Sequence, residues 1–159
     1  MSTATPATRY LDKAGLAYAR LEYEYVPGQD RIAEQAARAI GLPPGRVLKT
    51  LMVEVDGTPA CAVIPADLSL SMKKVAKAFG GKSAQMMDPA KAERLTGFHT
   101  GGISPFGQKR PVPVAFEAAA VAAGEEVALN GGRRGLMLRL DPAGALATLG
   151  ATAAALCAP

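Results

Sequence analysis

Apolar positions recur at helical spacing over residues 6–19, where Leu11, Ala14 and Ala17 or Tyr18 make one face. The segment that follows, LEYEYV at 21–26, alternates apolar and acidic residues and predicts a strand. Pro27-Gly28 breaks it, Asp30 is placed to cap a helix running through Ile40, and Gly41 ends that helix. Pro43-Pro44-Gly45 predicts a loop. Two apolar runs, 47–55 and 58–64, then flank Asp56-Gly57. Both turn positions tolerate positive φ, so the pattern predicts a tight hairpin.

Ser71 is positioned to cap MKKVAKAF, with Met72, Val75, Ala76 and Phe79 on one face, lysines on the other and Gly80 as the stop. Asp88-Pro89 opens another helix in the favoured cap-then-proline order, ending near Gly97. Strands are predicted at 112–116, 126–130 and 136–140, with Gly131-Gly132 as a turn between the last two. A short helix is predicted at 117–123, and Asp141-Pro142 begins a last, alanine-rich helical region. Hairpin-joined strands outnumber long helices. The expected class is α+β, a mixed, largely antiparallel β-barrel or sheet surrounded by helices. With 159 residues and no internal repeat or linker, one domain over 1–159 is expected.

Composition narrows the picture. The chain is 49% hydrophobic and 20% charged, an ordinary globular balance that needs neither disulfides nor metal to fold. Two cysteines far apart in sequence, Cys61 and Cys157, suit a reducing compartment, and no run has membrane-spanning length. A cytoplasmic protein without a membrane partner is expected. The net charge of +4 gives only a mild preference for polyanions. Its clustering says more: Lys73, Lys74, Lys77 and Lys82 lie together, as do Lys109 with Arg110 and Arg133 with Arg134. Such clusters are either solvated faces or phosphate contacts.

Much chemistry is excluded. One histidine, His99, and two distant cysteines cannot supply a zinc set, and no acidic run has calcium-loop spacing, so no metal is expected. His99 would have to serve any Ser-His or Cys-His site, but no G-x-S-x-G elbow surrounds Ser104, the serine nearest to it in sequence. Cys61, inside an apolar run, reads as a small buried side chain. The stretch GGISPFGQKR at 101–110 has the spacing of a phosphate loop from Gly102 to Gly107, but Gln108 stands where the lysine belongs. Pro111 and Pro113 also oppose the helix that a phosphate loop must feed. Its glycines can still bring bare backbone N–H groups to a ligand. Lys49 interrupts the apolar run RVLKTLMV, and alternation puts it on the face of Leu51 and Val53. It either points into a cavity that takes an anionic or polar ligand, or snorkels to water from the strand end.

Four segments in order, RVLKTLMVEVDG, LSMKKVAKAFGGKSAQMMDP, TGFHTGGISPFGQKRPVPV and NGGRRGL, resemble the YbaK/EbsC family of aminoacyl-tRNA deacylases. The similarity runs from about Tyr23 to near the C-terminus. It implies an editing enzyme that needs no metal or organic cofactor and acts on mischarged aminoacyl-tRNA. Tyr23, Lys49, Thr50 and the loop Gly101–Gly102–Ile103–Ser104–Pro105 match the family's pocket positions. By the same resemblance Ile32 replaces a pocket aromatic, Asn130 a serine and Met137 an acidic residue.

What the resemblance implies can be stated by residue. Lys49, with the backbone of Gly101 and Gly102, is expected to hold the ester or the tRNA 3′ end. Tyr23, Ile32, Thr50, Ile103, Ser104, Pro105, Asn130 and Met137 are expected to shape the aminoacyl site. Lys73, Lys74, Lys77, Lys109, Arg133 and Arg134 are candidates for tRNA phosphates. The branch it most resembles removes cysteine mischarged onto tRNA-Pro, with prolyl-tRNA synthetase as a possible partner. In that branch the substrate's own thiol attacks its ester. A deacylase for alanine or a small non-protein amino acid, or a non-catalytic tRNA- or synthetase-binding module, are the alternatives.

Overall fold

A computed structural model describes residues 4–26 and 32–159. The Pro27-Gly28 break and the Asp30 cap lie outside the described residues. In chain order the elements are α1 (Pro6–Ala14), β1 (Ala19–Glu22), α2 (Ile32–Ile40), β2 (Leu48–Val55), β3 (Thr58–Pro65), α3 (Met72–Ala78) and β4 (Ala84–Met86). They continue with α4 (Pro89–Thr96), β5 (Val114–Glu117), α5 (Ala118–Ala122), β6 (Val127–Asn130), β7 (Leu136–Leu140), α6 (Pro142–Leu149) and β8 (Thr152–Ala154).

The α+β class holds, as sheets rather than as a closed barrel. One sheet has the order β1-β7-β6 and the other β4-β2-β3-β5-β8. Among the described residues they meet through one parallel bridge, Val47 to Ala128. Pairing is antiparallel except for β3–β5 and β5–β8. The strands β4 and β8 form the edges of the larger sheet, are three residues each and do not pair with one another.

Local chemistry explains most boundaries. Asp56 and Gly57 take φ of 50° and 80°, which lets the β2–β3 hairpin turn in two residues. Ser71, Asp88 and Asp141 cap α3, α4 and α6 by accepting the N–H of Lys74, Lys91 and Gly144. Helix α1 stops at Ala14, not at residue 19, because Gly15 turns left-handed at φ 75° and closes the last turn. The alternation at 21–26 persists, with Leu21, Tyr23 and Tyr25 half-buried between exposed neighbours. The ladder nonetheless covers only Ala19–Glu22, because its partner β7 begins at Leu136, and Tyr23 N–H reaches only the Gly135 carbonyl.

The largest apolar core includes Leu11, Leu48, Met52, Phe106, Phe116 and Leu138. A second, with Val53, Ala62, Ile64, Val75 and Leu156, lies on the other face of β2 and β3 and is covered by α3. A smaller third links α2 with Ala66, Ala128 and Met137. The interval between the first and third holds the candidate site. No helix among the described residues is long and apolar enough to cross a membrane.

Candidate functional site

The site is a cleft of about 290 Å³ along one edge of β2. β4 covers that edge only from Val53 to Val55, and the bridge to β6 covers it at Val47. Residues 48–52 between them line the cleft. The remaining walls come from α2 (Ile32, Ala33, Ala36), from Met86, Met87 and Pro89, from Thr100, Gly101 and Ile103, and from Tyr23, Ala66, Asn130 and Met137.

Lys49 is the cleft's lysine. It is half-buried, and its Nζ donates to the Ala66 carbonyl at 3.1 Å, which fixes the amine at the wall. Its side chain lines a cavity near the start of β2. Two hydroxyls lack hydrogen-bond partners among the described residues, Tyr23 Oη and Thr50 Oγ1, and both belong to cleft residues. Burial pushes the Tyr23 phenol above its ordinary value, outweighing the opposing pull of the Gly135 N–H, which falls short of a well-formed hydrogen bond, so it stays protonated and able to donate. Unpartnered buried hydroxyls are rare in native folds because each forfeits its hydration. Both of them line this one apolar cleft.

The glycine loop is held from several directions. Lys109 N–H donates to Thr96 O at 2.8 Å and Arg110 N–H to Leu95 O at 3.0 Å, so the loop's end returns to the end of α4. Phe106 stacks on Tyr10 of α1 with ring centroids 6.0 Å apart. At Gly107, with φ of 71°, a Cβ would lie 2.3 Å from the Pro6 carbonyl oxygen. At the cleft end, a Cβ on Gly102 would lie 2.9 Å from Arg133 Cα, so this glycine lets two stretches of backbone touch. Asn130 joins the same contact. Its Nδ2 donates to Gly101 O at 3.3 Å and Arg133 O at 3.1 Å, and its Oδ1 accepts from Gly132 N.

Of the residues expected at the site, the structure brings Tyr23, Ile32, Lys49, Thr50, Gly101, Ile103, Asn130 and Met137 to one cleft. Gly102, Ser104 and Pro105 are buried behind it rather than on its wall. The Gly102 N–H donates to His99 O at 2.8 Å, and Ser104 Oγ accepts from Phe106 N at 3.2 Å, so these residues shape the loop. Gln108, which spoils the phosphate-loop spacing, donates from Nε2 to Ser104 O at 3.1 Å and lies 3.5 Å from Met52 Sδ. It therefore links the loop to β2.

The basic candidates separate. Lys73, Lys74 and Lys77 sit on α3 and line no part of the cleft, and Lys74 Nζ donates to the Cys157 carbonyl at 2.8 Å. Arg133 is ion-paired with Glu22 at 2.9 Å. The exposed Arg134 lies over the Tyr25 ring, 5.1 Å from its centroid, and its guanidinium packs beside Gly101. Lys109 is exposed at the far end of the loop.

None of the cysteine, serine or histidine side chains weighed as nucleophiles reaches the cleft wall. Cys61 is fully buried, and burial pushes its thiol up to about 12. Ser104 is likewise fully buried, and the His99 side chain is 95% exposed. Among the described residues no group of three His, Cys, Asp or Glu side chains could hold a metal ion. Sequence reasoning missed Met86, Met87, Ala33, Ala36 and Ala66, which supply much of the apolar wall. The pair Met86-Met87 lay inside a quoted segment, but nothing in its spacing pointed at a cleft built from β2, α2 and the loop.

Comparison with known proteins places this geometry. The family model of the aminoacyl-tRNA editing domain matches residues 27–147. A candidate Cys-tRNA(Pro)/Cys-tRNA(Cys) deacylase, EbsC of Enterococcus faecalis, is 36% identical over 142 residues, covering 87% of this chain and 84% of that protein. The proline–tRNA ligase of Nitratidesulfovibrio vulgaris is 32% identical over 105 residues, where the chain spans only 17% of the much longer ligase. The crystal structure of a candidate trans-editing enzyme for prolyl-tRNA synthetase superposes with a TM-score of 0.83 at 26% identity, covering 99% of this chain and 100% of that one.

Proposed function

The chain belongs to the aminoacyl-tRNA editing domain family, and from that premise we propose that it releases cysteine mischarged onto tRNA-Pro. It is an aminoacyl-tRNA deacylase, and in this reading residues 1–159 act as one editing domain. The observation that carries the finer reading is the cleft itself. It offers an amine, bare loop backbone and two unpartnered hydroxyls, with none of the protein nucleophiles weighed above on its wall.

An aminoacyl ester is already a reactive bond, so positioning and stabilisation of the developing oxyanion suffice to accelerate its cleavage. In the proposed route the substrate thiol attacks its own ester carbonyl. The S–C bond forms, the bond from carbonyl carbon to ribose oxygen breaks, and the thiol proton ends on the released ribose hydroxyl. The product is a four-membered thiolactone, which water then opens. Lys49 supplies a charge-assisted contact to the ester or the terminal nucleotide. Gly101 and Ile103 border the acyl group, and Tyr23 donates to it. Arg134 is the basic side chain beside the loop best placed for a tRNA phosphate. The synthetase that charges tRNA-Pro is the proposed partner, because the cleft is sized and lined for an amino acid and not for the tRNA body.

The test is deacylation of Cys-, Ala- and Pro-tRNA-Pro, with and without prolyl-tRNA synthetase, and with S-methylcysteine in place of cysteine. Fast release of cysteine and protection of the S-methyl ester is the expected result. Equal release of both cysteine forms would refute the thiol route. A different edited amino acid, such as alanine, is the second reading. It is favoured by Met137, which is 3% exposed and puts an uncharged thioether on the wall. Faster release of alanine than cysteine in the same panel would establish it.

A further inference from the structure

The cleft holds polar groups that belong to the main chain rather than to any side chain. Cys61 N–H of β3 donates to the Pro113 carbonyl at 2.9 Å, which turns Cys61 and Val63 toward β5. Positions 62 and 64 therefore bond to β2. Their register partners, Leu51 and Lys49, make the hydrogen-bonded pairs of the β2–β3 ladder. The intervening residue, Thr50, must point its N–H and C=O the other way. On that edge Met52 is met by Met87, whose N–H donates to Met52 O at 3.1 Å, and Val47 is met by Ala128. Among the described residues no strand pairs with Thr50 there, and the cleft occupies the gap.

An exposed strand edge is a template for another strand. The gap here is one residue long, so it cannot take a peptide segment. An aminoacyl ester carries the same N–Cα–C=O unit as a single peptide residue. It can exchange two hydrogen bonds with one residue of a strand, as the hydrogen-bonded pair of an antiparallel ladder does. We propose that the substrate's aminoacyl group completes the β2 edge opposite Thr50. Its α-ammonium donates to the Thr50 carbonyl, and the Thr50 N–H donates to its ester carbonyl. This rests on the deacylase reading and adds the recognition element that the reading lacks, an acceptor for the α-ammonium on a wall where Met137 carries no charge.

The arrangement has a chemical consequence. The Thr50 N–H lies where negative charge grows on the ester oxygen, so it stabilises the tetrahedral state more than the ground state. Because both contacts are main-chain, they recognise any α-amino acid ester, and the side chain is judged separately by the apolar wall. Opposed residues of an antiparallel pair send their side chains to the same face, so the acyl side chain stands beside the Thr50 hydroxyl.

The test removes one main-chain donor. Thr50→Val is compared with the same protein carrying the α-hydroxy counterpart of valine at position 50, in which an ester oxygen replaces the N–H. The two differ in that linkage alone, which also makes the Lys49 carbonyl a weaker acceptor in its pair with Ile64. Binding of 3′-deoxy-3′-(L-cysteinylamino)adenosine, a non-cleavable amide, is measured by calorimetry beside deacylation rates and thermal melts. The expected result is a loss of about tenfold or more in affinity with a melting temperature lowered by only a few degrees, because the N–H has no ladder partner to lose and the Lys49 carbonyl is only weakened. Equal affinity of the two proteins, or failure of the wild type to bind the amide, overturns the pairing. Tight binding lost on N–H removal, in a protein that cleaves no ester, would uphold the pairing and refute the deacylase reading.

Discussion

Two regions of the molecule bury polar groups and treat them in opposite ways. At the C-terminal tail the buried carboxylate is answered. The Glu117 carboxylate is 8% exposed and accepts the N–H groups of Leu156, Cys157 and Ala119 at 2.9, 3.0 and 3.2 Å. Ser71 N–H donates to Leu156 O, Ala158 N–H to Ser69 O, and Lys74 Nζ to Cys157 O, each at 2.8 Å. At the cleft, Tyr23 and Thr50 keep hydroxyls without partners. The difference separates stability from function. A satisfied network holds a tail in place, whereas an unsatisfied pair beside a cavity leaves hydrogen-bonding capacity unused, which under the proposed function is what the substrate takes up.

The sharpest way to break that comparison is to remove the cleft's amine. Lys49→Ala should lower deacylation on the order of 100-fold, the scale of deleting one preorganised donor. Its melting temperature should shift by only a few degrees, since Lys49 is half-buried and its amine bonds a main-chain carbonyl at the cleft wall. Single-turnover rates with thermal melts check both. A wild-type rate would remove Lys49 from the site.

The opposite result is expected at the tail. Glu117→Ala should cost about 3 kcal/mol of stability, because three N–H groups lose their acceptor. The rate per folded molecule should stay within about twofold, since the residue does not touch the cleft. Acid reveals the same carboxylate. Burial pushes it up, but the N–H donors from Leu156, Cys157 and Ala119 outweigh that and hold it below the ordinary glutamate value of 4.5. The folded state thus favours the ionised form. Its contribution is present above the ordinary value and fades as pH falls through the depressed one. Urea titrations of wild type and Glu117→Gln across pH 3 to 7 should converge at the acid end.

Tyr23→Phe separates the two kinds of polar group directly. Losing an unpartnered hydroxyl should leave stability unchanged or raise it by up to about 1 kcal/mol, while deacylation falls roughly tenfold. A stability loss comparable to that at Glu117 would mean that the phenol is bonded after all.

How much of this was legible in the sequence depends on the range of the forces involved. The Asp56-Gly57 hairpin and the Ser71, Asp88 and Asp141 caps are local devices, and they stand where the sequence puts them. β4 and β8 were missed because AQM and TAA are three residues each, with Thr152 the single β-branched residue between them, and they become strands only by pairing with β2 and β5. Lys49 and the glycine loop stood out as departures from pattern, a charge in an apolar run and a cluster of glycines. The Met86-Met87 wall, the Ala33 and Ala36 face and the open edge at Thr50 did not. They exist only once α2, β2 and the loop from 97 to 113 are brought together.

The smallest expected effect tests the comparison at the surface, on two cations that the sequence could not tell apart. Lys74 is committed to the tail through the Cys157 carbonyl, whereas Arg134 lies exposed on Tyr25 beside Gly101. Each phosphate contact contributes close to one unit to the slope of log affinity against log salt. Arg134→Ala should therefore weaken tRNA binding a few-fold at low salt and flatten that slope by about 1, without moving the melting temperature. Lys74→Ala should leave the slope alone and lower stability by up to about 1 kcal/mol, because Lys74 is exposed and solvent weakens its charged hydrogen bond. If Lys74 flattens the slope instead, the tRNA approaches over α3, and the cleft's rim is not where its backbone is held.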